Sequence, residues 1–273
     1  MRAASTVLGF AAAFAVALPA VAAGQGDYRH LDEGRPTRVE DAYALKFLEW
    51  EWQLGTGAFA EENAAVEGEA VFEAKLGIGG GLQAGVEGHG AWARRSGETT
   101  TGLETVNLHL LYNLNQEGRR APALALRGDW RLPGAGDLAR TDAGGRLRVL
   151  ATRTLGATRL HANAARAWAR DPDGGHHWEA GLGVDRALGL SGRAVVGDIY
   201  AEIPDRGGPT RWWADAGIRL QISKQSVLDV GATVRIDEWI DGTANAGLIL
   251  GISRTFGFNR LVNVPSYPDP TLR

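Results

Sequence analysis

The chain has 273 residues, a formal net charge of -3 and no cysteine. So small a charge gives no reason to expect nucleic acid as a partner, and without cysteine neither a disulfide framework nor thiolate chemistry is available. The 38 glycines follow no collagen period, and their abundance is typical of the bends and tight corners of a closing sheet.

The N-terminal residues have the three parts of a secretory signal peptide. Arg2 supplies positive charge, residues 7–18 form an apolar stretch too short to span a bilayer, and residues 20–22 form an A-x-A cleavage site. We therefore predict that residues 1–23 are a signal peptide removed on secretion, with a buried N-terminal helix as the alternative. No later apolar run reaches about eighteen residues, so no transmembrane helix is predicted.

Alternation of polar and apolar residues dominates most of the remaining chain. Residues 48–54 alternate without a break, and a helix does not produce this period of two. Each run has about ten or more residues, the length that a tilted strand needs to cross a membrane. The predicted strands are 47–59, 64–76, 80–94, 103–115, 121–132, 143–154, 158–169, 177–187, 190–203, 210–222, 226–237 and 245–258.

The connections alternate between short and longer ones, as in outer-membrane barrels with short periplasmic turns and longer extracellular loops. The predicted fold is therefore all-β, an antiparallel transmembrane β-barrel of about 12 strands. We predict a periplasmic N-terminal segment at 24–46, the barrel at 47–258 and a proline-containing tail at 259–273, and whether 24–46 plugs the pore stays open. The predicted longer loops are 60–63, 95–102, 133–142, 170–176, 204–209 and 238–244.

Five tryptophans lie beside the longer loops and on the apolar face, as in the aromatic girdle of a membrane interface. A soluble β-sandwich, the alternative, would bury such rings beneath a second sheet. The predicted location is the cell outer membrane, with outer-membrane lipid and the outer-membrane assembly machinery as partners. The predicted interface aromatics are Trp92, Trp130, Trp168, Trp178 and Trp212.

Several short motifs carry a resemblance to a known family. They are Arg-Pro-Thr at 35–37 with Glu-Asp-Ala at 40–42, Glu49 and Glu51, and the segments 150–156, 160–163, 198–202 and 215–219. With these motifs the chain resembles the transporter-like outer-membrane β-barrels of the meta-pathway phenol-degradation family. The resemblance implies a barrel and passage of a small solute, such as an aromatic or hydrophobic compound, and it implies no catalytic residue.

If the apolar faces meet lipid, the polar faces line a lumen, with an acidic wall from the first three strands and a basic wall from the fifth and sixth. Two interpretations stay open: the charges pair across a nearly filled interior, or they select solutes by charge. The candidate lumen and solute contacts are Glu49, Glu51, Glu67, Glu69, Glu73, Arg127, Asp129, Arg131, Arg146, Arg148, Arg219 and Arg235.

Enzymatic and metal chemistry are not predicted. His89, His109 and His161 face inward by parity, but their spacing matches no zinc signature. Ser253 faces inward without a neighbouring histidine that could activate it. The predicted function is an outer-membrane channel for a small solute without a cofactor. The alternatives are a structural or adhesion barrel with a plugged lumen and an outer-membrane enzyme.

Overall fold

Twelve antiparallel strands close into a barrel within the residues that the computed structural model describes, which are 28–60, 66–95, 98–140, 142–169, 176–237 and 246–257. The predicted fold is confirmed. The predicted signal peptide and tail lie outside the described residues. The strands are β1 Glu49–Ala60, β2 Val66–Gly79, β3 Leu82–Arg95, β4 Glu98–Asn115, β5 Ala123–Gly136, β6 Gly144–Leu155, β7 Thr158–Ala169, β8 His177–Ala187, β9 Arg193–Pro204, β10 Arg211–Gln221, β11 Ser226–Arg235 and β12 Ala246–Gly257.

Each strand pairs with its neighbours in sequence, and β1 closes the sheet by pairing with β12 from Glu49↔Gly257 to Ala60↔Ala246. Closure leaves no exposed strand edge, so every strand can satisfy its backbone groups within the sheet. Among the described residues no helix is long and apolar enough to span a bilayer. We call the end with β1's first residue the periplasmic end and the other the extracellular end, following the rule for such barrels.

Two strands extend beyond their predicted ends. β4 begins at Glu98, inside the predicted loop 95–102, and β5 continues past Leu132 to Gly136. Thr99–Thr101 pair with the last residues of β3. The prediction of a long loop at 95–102 is therefore wrong, and the predicted loop at 133–142 begins too early. The polar residues of these two stretches indicated loops. A strand that extends beyond the bilayer, however, can be polar on both faces and still form hydrogen bonds with its neighbouring strand.

The outer face of the barrel is apolar. Leu108 and Leu110 are 44% and 42% exposed, while the alternate residue His109 faces inward and is 2% exposed. Four of the predicted interface tryptophans are also well exposed on the outer face: Trp168, Trp178 and Trp212 lie toward the extracellular end, and Trp130 lies near the middle of β5, opposite Leu108. The fifth, Trp92, lies over Gly68, where any side chain would overlap the indole ring.

Candidate functional site

Residues 28–48 run through the inside of the barrel to its periplasmic rim, and we call them the luminal segment. Near the periplasmic end Arg29 Nε donates to Asp185 (3.0 Å). The chain then turns back within the lumen, where the Gly34 N–H donates to the Thr37 carbonyl (2.7 Å). It returns to the periplasmic end, where the Tyr43 hydroxyl donates to Glu117 (3.1 Å) in the turn between β4 and β5. The sequence predicted a periplasmic segment at 24–46 and left open whether it plugs the pore, and the structure puts the described part of this segment in the pore.

The predicted basic wall exists, but carboxylates of the luminal segment occupy it. Arg146 donates to both carboxylate oxygens of Glu33, at 2.8 and 2.6 Å. Arg127 donates to Glu40 at 2.8 Å, and Arg148 forms ion pairs with Glu33 at 2.8 Å and Glu40 at 3.3 Å. The two carboxylates therefore neutralise much of the positive wall that would otherwise face a solute.

The carboxylates of the predicted acidic wall are likewise paired with cations. Lys75 Nζ contacts Asp32 of the luminal segment and lies 2.9 Å from Glu51 on β1. Arg35, also in the luminal segment, donates to Glu73 at 3.2 Å. Charges of both signs thus pair across the buried middle of the barrel, which is the first of the two interpretations that the sequence allowed. Pairing of this kind is required because an isolated buried charge costs several kcal/mol.

Glycines in the wall give the luminal segment its space. Around residues 35–39 of the segment, six inward-facing glycines lie where a side chain would meet it, so this part of the segment fills sockets in the wall. A Cβ at Gly183, for example, would lie 3.0 Å from a Val39 methyl carbon. Adding volume at such a site forces atoms apart or displaces one of the partners. The sockets are Gly55 and Gly251 against Arg35, Gly217 and Gly231 against Pro36, and Gly181 and Gly183 against Val39.

Wall side chains also hold the backbone of the luminal segment. Asp198 accepts the N–H groups of Arg38 and Val39, both at 2.7 Å. Asn163 accepts the Glu40 N–H at 2.8 Å and donates to the Glu40 carbonyl at 2.9 Å. These bonds satisfy polar backbone groups that have no sheet partner. Neither wall residue was among the predicted contacts, although both lie in motifs that carry the family resemblance, at 160–163 and 198–202.

Asp129 accepts from Arg127 (2.8 Å) and Arg146 (3.1 Å) within the basic wall, and the other remaining predicted contacts lie toward the two ends of the barrel. Glu49 accepts the Lys46 N–H at the periplasmic rim (3.0 Å), and Arg219 pairs with Asp229 (2.8 Å) below the segment's turn. Toward the extracellular end, inward-facing and partly exposed side chains form a region that we call the vestibule. Its members are Glu67, Glu69, Arg131, Trp213 and Arg235.

The two arginines of the vestibule are paired locally, and its aromatic member is flanked by cations. Arg131 donates to Asp142 at 2.6 Å, and Arg235 donates to Asp237 at 2.8 Å. The guanidinium carbons of Arg38 and Arg235 lie 4.8 and 5.9 Å from the centre of a Trp213 ring. Cations at this range are attracted to an indole face. The tip of the luminal segment therefore meets the floor of the vestibule.

The surroundings of the buried His30 lead us to expect that docking of the luminal segment depends on pH. Burial lowers the pKa of His30, but Asp41 and Asp32 raise it more, against an opposing effect of Lys75, and the net pKa is about 10. The distances from the His30 ring nitrogens are 3.2 Å to Asp41 and 3.5 Å to Asp32. A raised pKa stabilises docking fully below the ordinary value of 6.5, and this stabilisation is lost as pH rises toward 10.

We therefore expect trypsin to cleave the luminal segment faster at pH 9 than at pH 6.5, after correction with a free peptide of residues 28–48. Cleavage sites are available at Arg29, Arg38 and Lys46, whereas Pro36 protects the bond after Arg35. In His30→Gln the corrected rate should be higher at pH 6.5 and nearly independent of pH. Equal pH dependence in both proteins would show that His30 does not control docking.

Comparison with known proteins supports the fold. No family profile and no curated protein matches the sequence. An outer membrane channel from Pseudomonas putida F1 is similar in structure, with a TM-score of 0.57 and 12% identity over 83% of this chain and 100% of that one. The KdgM porin in complex with disordered oligogalacturonate has a TM-score of 0.52 and 8% identity over 76% of this chain and 99% of that one. At these identities the likeness shows an outer-membrane β-barrel fold, and the family resemblance stays a prediction.

Proposed function

We propose that this protein is an outer-membrane channel for a small solute and that the luminal segment is its gate. The observation that carries the proposal is that the obstruction is a segment preceding β1 and outside the sheet. It can leave the lumen without breaking any strand pairing. Its contacts with the wall are mainly ion pairs and hydrogen bonds, so water can solvate both surfaces once they separate. A lumen lined by charged side chains is then passable and selective.

A structural or adhesion barrel with a permanently plugged lumen is the second candidate. Ion pairs on opposite walls favour it, because Glu33 binds the basic wall while Arg35 binds the acidic one. Both candidates share the location, for which we propose secretion directed by residues 1–23 and insertion into outer-membrane lipid by the assembly machinery. They differ in whether the segment ever leaves, and this difference is measurable as ion current.

The vestibule supports the solute class that the family resemblance implies. The Trp213 ring lies 6.2 Å from Tyr200 in an edge arrangement, between Arg38 and Arg235. A ring face beside cations suits stacking of a small aromatic compound, most of all one that carries negative charge. We therefore extend the proposal to small aromatic solutes. This choice concerns the vestibule, to which the gate contributes Arg38.

Enlarging a glycine socket tests the gate. In Gly183→Leu the new side chain would occupy the space of Val39, whose Cβ is 3.2 Å from the position of the first added carbon. Overpacking costs about 1–3 kcal/mol, which raises the undocked fraction roughly thirtyfold at the middle of that range. We expect planar-bilayer currents to be small for the wild type and clearly larger for the variant. Val39→Gly combined with Gly183→Leu should restore the small current.

The matched control is Gly128→Leu. Gly128 faces outward, and a Cβ added there would have its nearest neighbour in the Trp130 ring at 3.7 Å. The current of the Gly128→Leu variant should therefore equal the wild-type current. Every variant should show the heat-dependent gel shift of a folded barrel. A folded Gly183→Leu protein without current would favour the plugged structural barrel. Benzoate should block the current of the Gly183→Leu variant more than acetate does. Equal block by the two anions would contradict the proposal that the solutes are aromatic.

A further inference from the structure

One buried histidine has no hydrogen-bond partner. His109 of β4 is 2% exposed, and among the described residues neither of its ring nitrogens is hydrogen-bonded. Any side chain at Gly85 of β3 would overlap this ring, so the glycine lets the imidazole lie across β3 toward β2. There Nε2 lies 3.4 Å from Glu73 Oε1. An unsatisfied buried polar group costs about 1–3 kcal/mol and calls for a ligand or another explanation.

A second carboxylate completes the group around this ring. One ligand atom each of Glu73, Glu87 and His109 lie within 4.8 Å of one another. Glu73 and Glu87 are direct cross-strand partners, and like charges in this relation destabilise a sheet unless a cation answers them. Arg35 lies 3.2 Å from the other oxygen of Glu73, so Oε1 is the oxygen that faces His109.

We propose that Glu73, Glu87 and His109 form a binding site for a divalent transition-metal ion, with zinc as the best match. Zinc binds imidazole nitrogen and carboxylate oxygen at about 2.0–2.2 Å in tetrahedral geometry, which separates its ligand atoms by about 3.3–3.6 Å. The 3.4 Å between His109 Nε2 and Glu73 Oε1 has this value and is long for a hydrogen bond. An imidazole ligand disfavours calcium and magnesium, which prefer oxygen ligands.

Access to the site is from the vestibule side. The Glu87 side chain is 14% exposed, and its partner His89 is 27% exposed. A water molecule entering by this route can take the fourth position of the ion. Cations already near the two carboxylates weaken the attraction for an added ion, so affinity depends strongly on the imidazole. These cations are Arg35 and Lys75 at Glu73 and Arg127 at Glu87, whose carboxylate His89 also contacts.

A comparable group in the same barrel shows what a filled site looks like. His30, Asp32 and Glu51 also lie within ligand distance of one another. There Lys75 Nζ already contacts both carboxylates, and His30 pairs with Asp41. An ammonium group therefore takes the place of an ion. The spacing rules of linear zinc motifs could not predict the site formed by Glu73, Glu87 and His109, because its ligands come from three different strands, β2, β3 and β4.

Zinc titration of the full chain in detergent tests the site after treatment with a chelator. Calorimetry should show one equivalent bound to the wild type and at least tenfold weaker binding in His109→Gln and Glu87→Gln. The matched control is His161→Gln, because His161 is equally buried but lies 3.0 Å from Thr152 Oγ1 and 2.9 Å from Asp185. That variant should bind zinc as the wild type does.

Cobalt gives a second measurement, which reports the coordination geometry of the bound ion. Bound at this site, Co²⁺ should show visible absorption typical of tetrahedral coordination, and Gly85→Ala should weaken it by displacing the His109 ring. If His109→Gln fails to show the heat-dependent gel shift, Glu87→Gln and Gly85→Ala still decide the question. A wild-type protein that takes up no zinc, or binding unchanged in all three site variants, would overturn the proposal. Neither measurement uses ion current, so the result is independent of the channel function.

Discussion

Replacing Arg146 and Arg148 with glutamate should open the pore and make it cation-selective. In the wild type Arg146 binds both oxygens of Glu33, and Arg148 contacts Glu33 and Glu40. Breaking a buried ion pair by removing one partner costs about 3–5 kcal/mol, and the reversed charges add repulsion. The luminal segment should therefore leave, and the new carboxylates should then face a water-filled lumen, where low-dielectric walls strengthen their field.

The measurement is the reversal potential in a potassium chloride gradient, which should move toward the equilibrium potential of potassium. Arg146→Gln with Arg148→Gln should also increase the current, but with a weaker preference for cations. Arg140→Glu is the control, because Arg140 pairs with Glu104 on the exposed extracellular side. Its current should match that of the wild type. A folded reversal variant that stays closed would show that these ion pairs do not hold the gate.

Arginine at the lipid face should cause the largest loss of barrel stability. Leu108 lies on the outer face near the middle of β4, where we expect acyl chains to surround it. Leu108→Arg should lower the free energy of unfolding by about 2–4 kcal/mol, because a charged side chain near the bilayer midplane loses its hydration. Denaturant titration in lipid vesicles measures this change. Leu110→Arg should behave in the same way.

Asn107→Arg is the matched control for the lipid-face variant. Asn107 faces inward, is only partly buried and lies opposite Glu87, so an arginine there can reach both water and a carboxylate. Its loss of stability should be much smaller, and equal losses at 107 and 108 would contradict the assigned faces. By parity alone His109 would serve equally well as a water-facing control. The structure rules it out, since His109 is buried in the occupied interior.

The barrel itself could be predicted because its information is local. In a strand neighbouring side chains point to opposite faces, so the alternation of Asn107, Leu108, His109 and Leu110 assigns the lipid and lumen faces without any knowledge of the partner strand. The number of such runs then predicts the strand number, and β7 and β8 even have their predicted bounds. The ends of β4 and β5 were misplaced because polarity above the membrane carries no such alternation.

Only the tertiary structure decided what fills the lumen. Residues 28–48 have no period that predicts a strand or a helix, and their position depends on partners far away in the chain. Glu33 meets Arg146 across 113 positions, and Asp198 receives the Val39 N–H across 159. The group of Glu73, Glu87 and His109 likewise exists only because β2, β3 and β4 lie side by side in one register. Periodicity determines whether a side chain faces the lipid or the lumen. Which charged group it meets in the lumen is determined by closure of the barrel around the luminal segment.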